Sequence, residues 1–89
     1  MYQRSVVIQN QSGLHARPAS EFVRCASGFR SRITIGRADS GESANAKSIV
    51  MLLALALVRG TEVTITARGE DEEAAVDALV ALISSGFGE

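Results

Sequence analysis

The segment most suited to chemistry is Gly13–Ala19, which contains the only histidine and the only proline of the chain. Proline is tolerated in the first turn of a helix, where its missing N–H is not needed. Pro18 therefore predicts a helix that begins at or just after His15, with Arg17 beside the ring. Free amides, the positive end of the helix dipole and a guanidinium would then surround one imidazole. This arrangement suits a phosphoryl group held on or against the ring.

Each of these residues also has an ordinary structural interpretation. A lone histidine often only caps a helix or exchanges hydrogen bonds in a loop, and most arginines are solvated surface charges. We favour the functional interpretation for His15 because the amides of Ala16 and Arg17 could donate to phosphate oxygens. The planar fork of Arg17 could also grip a phosphate with two hydrogen bonds, as a lysine could not. Arg24, seven residues further along the same helical face, is either a contact for an acidic partner or a plain exposed arginine.

Length, charge and composition exclude several classes of function. The chain has 89 residues and a net charge of −1, which predicts one domain over residues 1–89 and no nucleic-acid partner. The single Cys25 has no partner for an internal disulfide, so we expect an inert, partly buried thiol and a cytoplasmic setting. We also expect no secretion signal and no membrane insertion, because the first residues are not a charged-then-apolar stretch and the apolar run Ile49–Val58 is shorter than the roughly 20 residues that cross a bilayer. We expect no metal and no cofactor, since neither metal-ligand spacing nor a glycine-rich nucleotide loop is present.

The hydrophobic periodicity predicts the elements that must position the histidine. Strands alternate apolar and polar residues, and helices carry an apolar stripe, such as Ala19, Phe22, Val23 and Ala26 in the first one. The predicted order is β-α-β-β-α-β-α, a two-layer α+β domain with the helices on one face of the sheet. The predicted elements are a strand over 3–8, a helix from Ala16 closed by Gly28, strands near 32–35 and 42–45, a helix from Ser48 to Gly60, a strand over 61–67 and a helix after the acidic cluster at 70–73.

The second predicted helix is apolar on every side from Ile49 to Val58. One sheet face cannot cover all sides of a helix, so some of Ile49, Val50 and Leu53 should be exposed as a docking patch near the His15 loop. Deeper burial by neighbouring helices is the alternative. Ser48 precedes this helix as an N-cap, a role worth about 1 kcal/mol whether or not the hydroxyl is also a regulatory site.

Several of these segments resemble the HPr family, the histidine-containing phosphocarriers of the bacterial phosphoenolpyruvate-dependent sugar phosphotransferase system. Gly13–Ala19 resembles the active-site motif of the family, and Asn45–Ile49 resembles its second motif. Arg59–Val63 resembles the entry into the last strand, and the ending Gly86–Glu89 is also similar. The resemblance runs from about residue 3 to the C-terminus, with the motifs in order.

The resemblance implies an open-faced β-sandwich, a four-stranded antiparallel sheet of order 1-4-2-3 covered on one face by three helices. It implies that His15 accepts phosphate on Nδ1 from phosphorylated enzyme I and passes it to sugar-specific IIA components. It also implies a monomeric carrier that is a substrate of other enzymes rather than an enzyme. Ser48 falls where Gram-positive relatives are phosphorylated by a regulatory HPr kinase, and the sequence leaves that regulation open.

The sequence departs from the family pattern in two places. The turn over residues 37–41 is longer than usual by about two residues, which a hairpin tip tolerates, and residues 50–53 are more apolar, which changes the surface that partners touch.

Two other functions are compatible with the sequence. A small phosphohydrolase could use His15 as a nucleophile, but no acidic residue lies near His15 in the sequence to protonate a leaving group. A non-catalytic binding module would share the fold. Phosphorylation by enzyme I and phosphoenolpyruvate, lost in His15→Ala, distinguishes the carrier from both.

Overall fold

A computed structural model describes all residues from 1 to 89, and its secondary structure follows the predicted order. The sheet is entirely antiparallel, with the strand order β1-β4-β2-β3. The elements are β1 Tyr2–Val7, α1 Ala16–Ser27, β2 Arg32–Arg37, β3 Ser43–Asn45, α2 Ile49–Ala54, β4 Glu62–Arg68, α3 Glu72–Ser84 and a 3-10 turn at Gly86–Gly88. None of the helices combines the length and the apolar character that crossing a membrane requires.

Alternation along the strands divides the sheet into a buried face and an open face. In β4, Val63, Ile65 and Ala67 are buried, and the residues between them are not. Because side chains alternate across a strand, the same pattern in β2 places Ile33 and Ile35 against the helices. These residues join one hydrophobic core of 21 buried side chains, so the predicted α+β architecture and its strand order are confirmed.

The predicted apolar stripes of α1 and α3 are confirmed as helix faces that pack on this core. In α1, Ala19, Phe22 and Ala26 are buried, whereas Val23 is only partly buried. The predicted stripe of α3 is buried at Val76, Leu79, Val80 and Ile83. The acidic residues expected at the start of α3 are Glu72 and Glu73, in its first turn, where negative charge favours the helix dipole.

The predicted helix from Ser48 to Gly60 is wrong in length, because α2 ends at Ala54. Ala56 has a φ of 53°, a left-handed conformation that turns the chain out of the helix. The turn lets Leu57 bury its side chain completely. Tertiary packing of this one leucine therefore outweighs the helix propensity of the Leu- and Ala-rich run.

Arg37, at the end of β2, holds the end of α2 in place. Its Nη1 donates to the carbonyls of Leu55, at 2.8 Å, and Ala56, at 3.1 Å, while Nε and Nη2 bond the Asp39 carboxylate. These carbonyls would otherwise lack partners at a helix C-terminus. The long hairpin turn thus has a structural role beyond joining two strands, since its arginine ties it to the segment that follows α2.

Candidate functional site

His15 is the N-cap residue of α1, as the proline spacing predicted. Its backbone is extended, with φ −132° and ψ 161°, and its side chain is partly exposed and bonds no backbone group of the helix. The first hydrogen bond of the helix runs from the Ala19 N–H to the His15 carbonyl. The amides of Ala16 and Arg17 have no acceptor in the protein. Two free donors and the positive end of a helix dipole therefore lie beside the imidazole.

The backbone of Ala16 is what turns the chain from the extended His15 into the helix. Its φ is 51°, in the left-handed region that residues with a Cβ rarely adopt. Such a conformation costs an L-residue about 1–2 kcal/mol. The surrounding contacts must supply that energy, so the loop before Ala16 has to be held firmly.

The segment after α2 provides one of these contacts. Leu14, fully buried, donates its N–H to the Leu57 carbonyl at 2.9 Å. At Gly13, with φ +67°, a Cβ would lie 2.5 Å from that carbonyl oxygen and 2.9 Å from the Cα of Val58. The His15 loop and the segment after α2 are thus in direct backbone contact, which only glycine at position 13 permits.

A second contact comes from the end of the chain, and sequence reasoning missed it. The Glu89 carboxylate accepts hydrogen bonds from the backbone N–H and hydroxyl of Ser12 and from the Asn10 side chain. The Ser12 hydroxyl, and then its amide, lower the pKa of Glu89 from its ordinary value. The same Asn10 amide nitrogen donates to the Gly13 carbonyl at 2.8 Å. The only signal for this contact in the sequence is the Gly86–Glu89 ending, in which Phe87 is buried.

Arg17 lies beside the site, but its guanidinium forms no hydrogen bond with His15. Nη1 pairs with Glu21, one turn along α1, at 2.8 Å, and the arginine side chain is 64% exposed. Such exposed pairs at i,i+4 contribute only about 0.3–0.5 kcal/mol. The guanidinium is therefore held weakly enough to change partners.

The structure confirms that an apolar surface is exposed on and after α2. Ile49, Val50, Met51, Leu53 and Val58 are exposed, and Val50 is the most exposed of them at 75%. We call these five residues the α2 patch. α2 packs on α1, and the Val58 backbone adjoins Gly13, two residues before His15, so this end of the patch lies next to the His15 loop. Met51 and Val58 were not among the residues expected there.

The remaining predicted residues occupy the positions expected for them. Ser48 is the N-cap of α2, and its hydroxyl accepts a hydrogen bond from the Met51 amide at 3.3 Å. Arg24 lies exposed in the last turn of α1 without an ion pair. Cys25 is partly buried, and burial raises the pKa of its thiol, which keeps it protonated and unreactive.

Comparison with known proteins agrees with this geometry. A family model described as the phosphorylation site of the PTS HPr component matches residues 2–85. The phosphocarrier protein HPr of Haemophilus influenzae is 52% identical over 83 residues, which cover 93% of this chain and 95% of that protein. A crystal structure of HPr from Thermoanaerobacter tengcongensis has a TM-score of 0.96 and 45% identity, covering 100% of this chain and 98% of that one. A crystal structure of an HPr dimer from the same organism covers 100% of both chains with a TM-score of 0.79. The chain therefore belongs to the HPr family of the phosphotransferase system, whose members carry a phosphoryl group rather than catalyse a reaction.

Proposed function

We propose that the chain is a single phosphocarrier domain in which Nδ1 of His15 accepts the phosphoryl group. The observation that carries this proposal is the pair of free amides, Ala16 and Arg17, beside a partly exposed imidazole at a helix N-terminus. The lone pair of Nδ1 attacks phosphorus in a phosphohistidine of enzyme I. A new N–P bond forms, and the electron pair of the broken P–N bond returns to the donor ring. The same steps in reverse pass the group to a IIA component.

The two amides and Arg17 hold the phosphate once it is on the ring. Backbone N–H groups at a helix N-terminus donate to phosphate oxygens and bring the favourable end of the helix dipole. Leaving Glu21 costs the Arg17 guanidinium only a few tenths of a kcal/mol, and a phosphate dianion offers a stronger bidentate partner. Arg17 is therefore the mobile part of the site, and the amides are the fixed part.

The α2 patch docks both partners, with Arg24 as a contact for acidic groups at its edge. Exposed apolar side chains beside the phosphoacceptor allow a partner to exclude water from the transfer without a large interface. An interface of this small kind suits weak, transient encounters. The carrier can then leave enzyme I before it meets a IIA component.

Regulation at Ser48 belongs to the same proposal. An HPr kinase would place a phosphate at the N-terminus of α2, where the helix dipole stabilises it and the helix need not unfold. Because Ser48 immediately precedes Ile49 and Val50, the new charge would lie at the border of the α2 patch and repel partners that approach it.

We also propose that the carrier is a cytoplasmic monomer. All six residues of β1 pair with β4 of the same chain, so strand exchange is not needed to complete the sheet. Light scattering across a range of concentrations tests the monomeric state directly. A constant monomer mass supports the proposal, and a concentration-dependent dimer would contradict it.

The central experiment is incubation with enzyme I and phosphoenolpyruvate, followed by intact mass measurement. We expect the gain of one phosphoryl group that is lost in acid, its absence in His15→Ala, and its retention in the matched variant Ser48→Ala. Transfer onward to a IIA component should restore the original mass. Retention of the label in His15→Ala, or steady phosphate release without an acceptor, would overturn the proposal in favour of another acceptor or a hydrolase.

Arg17 is tested by a pair of substitutions at the same position and one at its partner. Arg17→Lys keeps the charge and loses the fork, so we expect slower phosphorylation of His15 with unchanged thermal stability. Glu21→Gln releases Arg17 from its ion pair and should leave phosphorylation as fast as in the wild type or faster. If Arg17→Lys behaved as the wild type, the bidentate contact would not be part of the site.

A further inference from the structure

The largest surface cavity lies at the end of α1 opposite His15. It has a volume of about 590 Å³ and is lined by four basic side chains, Arg30, Arg32, Lys47 and Arg68, with no carboxylate among its lining residues. The 12 residues of α1 rise about 18 Å, so this cavity is separate from the phosphoacceptor site. Four of the nine basic residues of a chain with net charge −1 are thus gathered around one concavity.

Two of these arginines face each other across neighbouring strands. Arg32 in β2 and Arg68 in β4 are directly opposite in the antiparallel register, on the open face of the sheet. Side chains in such pairs start from Cβ atoms about 4.5–5.5 Å apart, and like charges placed this way destabilise the sheet. All ion pairs of the protein involve other cations, so neither arginine is paired with a carboxylate. Arg68 donates from Nη2 to the Met1 sulfur at 3.5 Å and helps to lower the pKa of Glu72, whereas Arg32 has no such partner.

The carboxylates near the cavity are engaged elsewhere, and Lys47 uses only one of its three N–H donors. Lys47 is held in place by a hydrogen bond from Nζ to the Phe29 carbonyl, at 2.7 Å. The carboxylate of Asp71 accepts from the backbone amides of Arg30 and Ser31 and from the Ser31 hydroxyl. That of Glu72 bonds the Gly69 amide and the terminal amino group. The guanidinium groups that line the cavity therefore have unused hydrogen-bond donors.

We propose that this cavity binds a small molecule that carries two or more phosphate groups. One phosphate bridging Arg32 and Arg68 would receive bidentate hydrogen bonds and remove the repulsion between them. Arg30 and Lys47 remain for the second phosphate. A second cavity of about 470 Å³ shares Arg32, Ile33 and Asn45 with the first. Its other lining residues are uncharged, namely Thr34, Ser43, Ala44 and Met51, which leaves room for the uncharged part of the ligand. The confined charge favours a small polyanion over a nucleic acid, which needs an extended basic surface.

The test is a titration of the full chain with pyrophosphate, followed by the NMR shifts of individual backbone amides, because these separate binding in the cavity from binding at the amides of Ala16 and Arg17. We expect shifts at Arg32, Asn45 and Arg68, and binding at least about tenfold tighter than that of sulfate at equal ionic strength. Arg32→Gln and Arg68→Gln should each weaken pyrophosphate binding by about tenfold or more. Arg59→Gln, with the same change of charge outside the cavity, should leave it unchanged.

A second readout uses thermal stability without ligand. Arg32→Gln removes one of two like charges and no other recorded contact, so it should raise Tm at low salt by about 2 °C, and the double variant with Arg68→Gln should gain no more. Pyrophosphate should raise Tm in the wild type and not in the double variant. Equal binding of sulfate, unchanged binding in both glutamine variants, or tighter binding of single-stranded RNA than of pyrophosphate would each overturn the proposal.

Discussion

Replacing Gly13 by alanine tests whether the segment after α2 positions the phosphoacceptor loop. The added Cβ would lie 2.5 Å from the Leu57 carbonyl oxygen and 2.9 Å from the Cα of Val58. Both atoms belong to the backbone, so neither can swing away as a side chain would. Either the loop or the segment after α2 must move, and the hydrogen bond from Leu14 to Leu57 would be strained or broken.

The magnitude follows from two separate costs. The first is the left-handed conformation of Gly13, which disfavours an L-residue by about 1–2 kcal/mol and is partly offset by the lower entropy of the unfolded chain. The second is overpacking and weakening of a buried hydrogen bond, together about 2 kcal/mol. We expect Gly13→Ala to lower the free energy of unfolding by about 3 kcal/mol, equivalent to a fall in Tm of about 12–24 °C.

Gly41 offers a matched control, because its φ is +76° and a Cβ there would meet nothing within 4 Å. Gly41→Ala carries the conformational cost alone, so it should lose only about 1 kcal/mol. Urea unfolding of both variants, followed by circular dichroism, measures the difference. The rate of phosphorylation by enzyme I should fall in Gly13→Ala and stay unchanged in Gly41→Ala. Equal losses of stability in the two variants would refute the view that backbone contact with Leu57 and Val58 holds the loop.

Three further predictions concern the docking patch, acid stability and the end of the chain. Val50→Ser should slow phosphoryl transfer from enzyme I by about tenfold without changing Tm, whereas Val7→Ser, an exposed valine in β1, should leave transfer unchanged. Hydrogen bonds from the Ser31 hydroxyl, and then from the backbone amides of Arg30 and Ser31, lower the pKa of Asp71 from 3.8 to about 2. This carboxylate therefore stabilises the fold above pH 3.8 and loses its effect as the pH falls to about 2. Asp71→Asn should therefore melt lower near neutral pH and show a flatter Tm profile across that acid range. Glu89→Gln should likewise lower Tm near neutral pH, and the difference from the wild type should vanish in acid, where both side chains are uncharged.

The parts of the fold that sequence reasoning predicted are those set by local periodicity. The alternation of β4 and the stripe of α3 each depend on one buried face, and in β4 a one-residue slip would expose the whole set of buried residues. The length of α2 was predicted wrongly because its end is decided by distant groups. The Arg37 guanidinium donates hydrogen bonds to the Leu55 and Ala56 carbonyls, and the Leu57 side chain is buried in the core. No pattern within residues 49–58 indicates that Arg37, in β2, contacts this segment.

The same distinction applies to the candidate site. Gly13 and Pro18 specify a turn and a helix start through their own backbone properties, so the position of His15 was predictable from seven residues. The contact of Glu89 with Ser12 spans 77 positions and depends on the whole fold. The ion pair between Arg17 and Glu21 is local, but its exposure allows several partners, so sequence alone does not select one.

In the proposed function, the site separates recognition of the phosphate from recognition of the partner. The phosphate would be held by two backbone amides and a guanidinium, and these groups would meet the same oxygens whichever protein delivered them. The partner would meet the α2 patch, whose apolar side chains need no particular polar complement. Because such a patch requires no fixed hydrogen bonds, two unrelated surfaces could dock on it in turn, and neither would be held so tightly that transfer stops. A carrier needs this combination, since a patch specific for enzyme I would exclude the IIA component that must receive the group next.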